Sequence, residues 1–230
     1  MSEIYTERDK TSDVKFITSK HILDAYARND FVGLIIYGKQ GIGKSTYMLK
    51  VLNEVYGDWD LALEHVVFSL DDLIDIIKST NKKILCVGWD DAGIHGHKYM
   101  YFRSKLSMEL VSAWLDAIRT QVSSLLVTTV NPFNLIKPVR TSGFWYGKVA
   151  IYSRNMRYTA VYSISVLPDG RRYAKKLYVD RFTLRLPDEV YAKYREKRER
   201  FYKEAKEKLV KVIEKYGDKR LREELGVYEE

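Results

Sequence analysis

Cysteine occurs once in these 230 residues, at Cys86, so no internal disulfide can form. Its place in the apolar run ILCV points to a buried thiol in a reducing compartment. No apolar run approaches the roughly 18 residues that a membrane span needs. The charged and polar opening MSEIYTERDKTSD does not read as a secretory leader. Secreted disulfide scaffolds and membrane-spanning proteins are thereby excluded, and the expected location is the cytoplasm. Glutamine is confined to Gln40 and Gln121, while Lys, Arg, Glu and Tyr abound. That bias is expected of a protein from a hot environment. Internal repeats and low-complexity linkers are absent.

What is present is length for one domain with an appendage, and a lopsided charge. The net charge is +8. Residues 1–136 carry 15 basic and 17 acidic side chains, a balance of −2, whereas residues 137–230 carry 24 and 14, a balance of +10. An excess gathered in one portion suits an anionic polymer more than a small substrate, although a charge-laced solvated face would read the same way.

Along the chain, SKHILDAYARND (19–30) predicts a helix capped by Ser19. FVGLIIY (31–37) predicts a strand buried on both faces. STYMLKVLNEVYG predicts a helix closed by Gly57. HVVFSL (65–70) predicts a strand and DDLIDIIKST a helix capped by Asp71 or Asp72. KKILCVGW (82–89) predicts a strand, residues 104–119 a helix, and SSLLVTTV (123–130) a further strand. Strands alternating with helices predict an α/β fold with a mainly parallel sheet flanked by helices. Beyond it, GKVAIYS predicts a fifth strand, and RYTAVYSISV and RRYAKKLYV flank the turn LPDG as a β-hairpin. A long helix is expected from Pro187 to Tyr216, with a frayed end. The expected division is a core over 1–153, followed by a basic β-hairpin and long helix over 154–230.

Gly38, Lys39, Gln40, Gly41, Ile42, Gly43, Lys44, Ser45 and Thr46 spell GKQGIGKST between a predicted strand and a predicted helix. The pattern GxxxxGK[ST] arises by chance in a chain of this length about once in a hundred, and its strand–helix context is that of a phosphate-binding loop. Glycines let successive backbone N–H groups point inward, and the helix N-terminus adds its positive dipole end. Lys44 would reach the β and γ phosphates of a nucleotide, and Ser45 would place its hydroxyl on Mg²⁺. The strand ILCVGW delivers Asp90 as a metal carboxylate and Asp91 as a group able to polarise the attacking water. The same pair could instead cap a turn. In LLVTTVNP, a polar side chain could orient water against the γ-phosphate; Asn131 is preferred over Thr128 and Thr129. His95 and His97 lack the companions of a metal site, so the expectation there is a contact loop with Tyr99, Tyr101, Phe102 and Arg103.

Together these motifs, over residues 19–153, resemble an ASCE-type P-loop ATPase, the division of AAA+ proteins, helicases and packaging motors. Their order looks most like small DnaA- and DnaC-type AAA+ ATPases, many of them encoded by viruses and plasmids. The resemblance implies ATP and Mg²⁺, oligomers, action on DNA or on a replication or packaging protein, and a place in the host cytoplasm. It also implies an arginine reaching a neighbour's nucleotide; Arg140 matches the place, with Arg119 second. Where AAA+ proteins carry a helical lid, this chain has a hairpin and a long helix, which resembles the extended cores of HerA/FtsK-like motors. Lys39 gives the loop a partial likeness to ParA-type dimeric partitioning ATPases. A nucleotide-gated protein-binding adaptor with little turnover is the third reading. Residues 154–185 hold eight basic side chains against two acidic ones, with tyrosines 158, 162, 173 and 178 interleaved. They can contact phosphates and stack on bases in a sequence-neutral way, or the tyrosines can pack inward.

Overall fold

A computed structural model describes residues 15–80, 82–92, 117–135, 137–141, 143–166, 169 and 171–225. The apolar run VGLIIY forms β1 (Val32–Tyr37). It is followed by α2 (Lys44–Tyr56) and the short α3 (Trp59–Glu64), and preceded by α1 (Ile17–Ala27). Next come β2 (Val66–Val67), α4 (Leu70–Lys78), β3 (Val87–Trp89) and β4 (Ser124–Thr129). A 3₁₀ turn (Pro132–Asn134) and α5 (Lys137–Thr141) lead into β5 (Trp145–Ile151), β6 (Met156–Val166) and β7 (Arg172–Thr183).

The fold is α/β. Its seven-stranded sheet has the order β2-β3-β4-β1-β5-β6-β7. Every pairing from β2 to β5 is parallel, and the last two, β5–β6 and β6–β7, are antiparallel. The central strands are apolar on both faces because both faces are covered. On one face Ile35, Val87, Trp89, Leu125 and Val127 pack with Leu73 of α4 and Val139 of α5. On the other, α2 lies so close that a Cβ on Gly88 would come within 2.8 Å of Met48.

The structure moves several expected boundaries, each for a local reason. Helix α1 begins at Ile17, and Ser19 is buried inside it instead of capping it. Its cap comes from far along the chain, because Asp180 of β7 accepts from the N–H groups of Ile17 (2.8 Å) and Thr18 (3.2 Å). Strand β2 stops at Val67. Ser69, not Asp71 or Asp72, caps α4, with Asp72 returning a bond to the Ser69 amide in a capping box. Strand β3 is short because the Tyr56 hydroxyl donates to the Cys86 carbonyl (2.6 Å) and meets its N–H (3.2 Å), taking the place of ladder bonds. Upstream, Ile84 makes only an isolated bridge to Val122. Of the helix expected at 104–119, residues 117 and 118 are helical and Arg119 is in the turn that follows; residues 104–116, with His95, His97, Tyr99, Tyr101, Phe102 and Arg103, lie outside the described residues.

The hairpin is not an appendage. β6 pairs with β5 over Tyr146–Ile151, so the expected boundary after residue 153 falls inside the sheet. Compact units divide instead between Leu186 and Pro187. The second unit is α6 (Asp188–Leu225), 38 residues long, with i,i+4 ion pairs Arg195–Glu199 and Glu196–Arg200. It runs past Tyr216 because one interior glycine, Gly217, costs only about 1 kcal/mol against the helix formers around it. Among the described residues no helix is long and apolar enough to cross a membrane.

Candidate functional site

The carboxyl ends of β1, β3 and β4 lie side by side, and the connections leaving the neighbouring strands β1 and β4 run in opposite directions across the sheet, toward β2 and toward β5. In an open α/β sheet that switch point is where a ligand crevice forms. The segment leaving β1 turns through three glycines with positive φ: Gly38 (+148°), Gly41 (+72°) and Gly43 (+105°). Gly43 is the N-cap of α2 and supplies no side chain, so no side-chain cap satisfies the first-turn amides. The first turn holds no acidic residue and instead starts with Lys44. A cation there opposes the helix dipole by about 0.3–1 kcal/mol. A break with local preference of this kind is expected at functional sites. Lys44 is buried, and its ammonium donates to the carbonyls of Gly38 and Lys39, both at 3.1 Å.

Asp90 is fully buried at the end of β3. Its Oδ1 accepts from the Ser45 hydroxyl at 2.9 Å and also from the Thr128 hydroxyl of β4. Thr128 in turn accepts from the Asp91 amide at 2.8 Å. Asp91 sits at φ +48°, a left-handed conformation that Asp tolerates and that recurs at functional sites. Three adjacent strands thus contribute one cluster: Ser45 just past the loop of β1, Asp90 and Asp91 from β3, and Thr128 from β4. A charge fully out of water must be hydrogen-bonded to be tolerated, and these hydroxyls do that for Asp90.

The remaining candidates fall elsewhere. Asn131 is exposed and its side chain accepts from the Phe133 amide at 3.0 Å, capping the 3₁₀ turn. Thr129 donates to the Asn131 carbonyl at 3.0 Å. The Asn-Pro pair is the sequence signal for that turn, and it outweighs the polarity that made Asn131 attractive. Arg140 is half-buried on α5 with its guanidinium 5.6 Å from the Phe133 ring centroid, and its Nε has no hydrogen-bond partner among the described residues. Arg119 lines a cavity with Phe31 and Gly33, at the start of β1 and so at the opposite end of the sheet from the loop. Lys39 and Gln40 are exposed, Ile42 and Thr46 half-buried.

A second network, not foreseen from the motifs, clamps α2. Tyr47, two residues past Ser45, donates to Asp180 (2.6 Å) and meets the Thr18 hydroxyl (2.6 Å); Thr18 also bonds Tyr178 (3.0 Å). Burial foremost, then the charge of Asp180, holds the Tyr47 hydroxyl well above its ordinary value of 10.0. Leu184, just after β7, lies where a Cβ on Gly43 would be, at 2.4 Å. No local pattern reveals such a clamp, since Asp180 is 133 positions from Tyr47.

The chain is 33% identical over 218 residues to uncharacterized protein B-251 of Sulfolobus spindle-shape virus 1, a match covering 84% of each chain. It is 34% identical over 117 residues to uncharacterized protein ORF286 of Acidianus two-tailed virus, which spans 49% of this chain and 41% of that one. No family model matches.

Proposed function

This chain belongs to the same family as protein B-251 of Sulfolobus spindle-shape virus 1, and for it we propose a Mg²⁺-dependent P-loop ATPase that couples hydrolysis to DNA handling as an oligomer. The reading keeps to the ASCE division and to the likeness with small DnaA- and DnaC-type AAA+ ATPases. The observation that carries it is the Ser45–Asp90 hydrogen bond of 2.9 Å across 45 residues of sequence, beside a glycine loop that opens onto a helix with no side-chain cap.

In this reading the amides of residues 38–46 and the dipole of α2 bind the phosphates, and Lys44 turns from the loop carbonyls to neutralise the β and γ oxygens. Ser45 and Asp90 offer two hard oxygen ligands. Among the described residues no group of three His, Cys, Asp or Glu is placed to hold a metal. Such a sparse set suits Mg²⁺, which keeps several waters and takes its other ligands from phosphate. Bound there, Mg²⁺ would supply positive charge against the transferring phosphoryl group. Asp91 accepts the proton of the attacking water as its oxygen bonds to the γ-phosphorus and the bond to ADP breaks. Thr128 joins Asp90 and Asp91 to the neighbouring strand and so positions the two carboxylates, while Asn131 shapes the end of β4. Arg140, on α5, is the residue proposed for a neighbouring subunit's nucleotide.

The basic residues of the hairpin support DNA as the polymer. The relatives from two archaeal viruses support a viral setting inside a host cell, in replication or packaging. A packaging-type motor is favoured by one observation: β6 and β7 extend the core sheet in the manner of HerA/FtsK-like cores. Steady-state ATP hydrolysis with and without single- and double-stranded DNA, across salt, with Lys44→Ala as blank, tests the reading. Stimulation that fades with salt is expected. Lys44-dependent turnover indifferent to DNA would sink the coupling, and nucleotide-dependent capture of a protein with negligible turnover would establish the adaptor instead.

A further inference from the structure

The β6–β7 hairpin is longer than the sheet it belongs to. Pairing of β5 with β6 ends at Tyr146↔Tyr162, whereas β6–β7 pairing continues four rungs further, to Val166↔Arg172. Beyond Tyr162 the hairpin is therefore, among the described residues, a two-stranded ribbon with both edges open. A bulge at Val161/Tyr162 marks the point of departure, and a bulge increases the local twist and bends the strand it interrupts. Residues 171–177 are all exposed, so neither face of this part of β7 is covered.

The cations of the hairpin divide accordingly. Near the core they have intramolecular roles: Arg157 donates to the carbonyls of Ser153 and Met156 at 3.0 Å, and Arg181 lies 4.5 Å from the Tyr152 ring centroid. On the ribbon, Arg172 and Lys176 fall on one face and Lys175 on the other, by strand alternation. The one described acidic side chain there is Asp169, at the turn, paired with Arg171 at 2.6 Å. Tyr173 and Ile164 are about half exposed, at 47% and 46%.

We propose that this ribbon, residues 163–166 and 172–177, enters the major groove of duplex DNA. The inference deepens the DNA part of the function proposed above and rests on it. Two strands about 4.8 Å apart fit a groove about 12 Å wide, which admits a two-stranded ribbon, whereas the minor groove, about 6 Å wide, does not. Four rungs at about 3.3 Å each give a reach of about 13 Å, more than the groove depth of about 8.5 Å. Cations on both faces meet the phosphates of both groove walls, which one basic face could not do. A second copy of the chain is disfavoured as occupant, since lysine and arginine along an open edge oppose strand addition.

The test uses the full chain without nucleotide. Fluorescence anisotropy with a 30-base-pair duplex of random sequence, and with one of its single strands, is measured across salt for the native protein and for Arg172→Ala/Lys175→Ala/Lys176→Ala. The duplex is expected to bind more tightly than the strand. The triple variant should lose about tenfold or more in duplex affinity and about 2–3 units of the log–log salt slope. Methyl green, which occupies the major groove, should displace the protein, and netropsin, which occupies the minor groove, should not. Preference for the single strand, displacement by netropsin alone, or an equal loss from Arg195→Ala/Arg200→Ala on α6 would each overturn the proposal. Lys44→Ala serves as a separate arm. ATP turnover is the readout of that arm: turnover absent from the native protein, or unchanged in Lys44→Ala, together with intact, ribbon-dependent duplex binding would refute the nucleotide reading and leave the ribbon standing.

Discussion

The two ends of the central sheet handle charge in opposite ways. Where β1, β3 and β4 end, Lys44 and Asp90 are buried and each is held by named hydrogen bonds. Where the β6–β7 ribbon leaves the sheet, at the other end of β1, Arg172, Lys175 and Lys176 stand in water. A buried charge has a defined position and acts on particular atoms, because leaving it unpaired costs several kcal/mol. An exposed charge is screened within about 10 Å and acts as part of a field. In the function proposed here, the first end serves the chemistry and the second the attraction to a polymer.

The strongest way to break that contrast is Lys44→Ala. It should lower ATP turnover by about 10²–10³-fold, the scale of losing one preorganised electrostatic contact, while the melting temperature changes little; equal turnover in a hydrolysis assay would refute the site. Asp180→Ala comes next, leaving Tyr47 and the α1 amides of Ile17 and Thr18 without their acceptor. About 3 kcal/mol of stability should be lost in a urea titration, given about 1–3 kcal/mol for a buried group left unsatisfied.

Alkaline titration sharpens the comparison from the side of the buried groups. Burial pushes Cys86 from 9.0 up to about 12, and raises Tyr47 and Tyr178 above 10.0. Because these folded-state values exceed the unfolded ones, their stabilisation is complete below pH 9.0. It declines as the unfolded thiol and then the unfolded tyrosines ionise, and the Cys86 share is lost by about pH 12. Melting curves should therefore be level from pH 7 to about 9 and fall beyond it, and Cys86→Ala should delay the onset to about 10.

Within the loop, Gly43→Ala should be worse than Gly41→Ala. Both residues have positive φ, but a Cβ on Gly43 meets Leu184 at 2.4 Å while one on Gly41 meets nothing within 4 Å. The Gly41 change should cost about 1–2 kcal/mol for the left-handed backbone alone, and equal melting of the two variants would show that Leu184 yields freely. The smallest effect belongs to the ribbon: Arg172→Ala/Lys175→Ala/Lys176→Ala should leave stability within about 0.5 kcal/mol, even as it changes DNA binding.

Much of this was legible in the residues. The strand–glycine loop–helix unit is a local matter, since positive φ is a demand of consecutive residues and glycine meets it at no steric cost. The parallel α/β sheet followed from apolar runs alternating with helical periods. Other features depended on partners distant in sequence. Thr128 and Asn131 are equally plausible polar residues at a strand end; Thr128 reaches Asp90 because β4 is inserted next to β3, and Asn131 is taken up by its own turn. Of the four hairpin tyrosines, Tyr178 packs against Trp145 and His21, while Tyr173 remains exposed. The alternation of β7 alone could not say which, because the face that is covered depends on how far the neighbouring strand extends.

The sequence by itself determined the loop, its lysine and serine, the strand that carries Asp90 and Asp91, and the excess of positive charge in the last part of the chain. Those are properties of adjacent residues, read through dihedral limits, side-chain period and composition. Only the tertiary structure decided that Ser45 meets Asp90, that Asp180 caps α1 and clamps Tyr47, and that the hairpin continues the core sheet before leaving it as a ribbon. Each of these is a contact between residues far apart in the chain, fixed by strand order and register, which local preference does not encode.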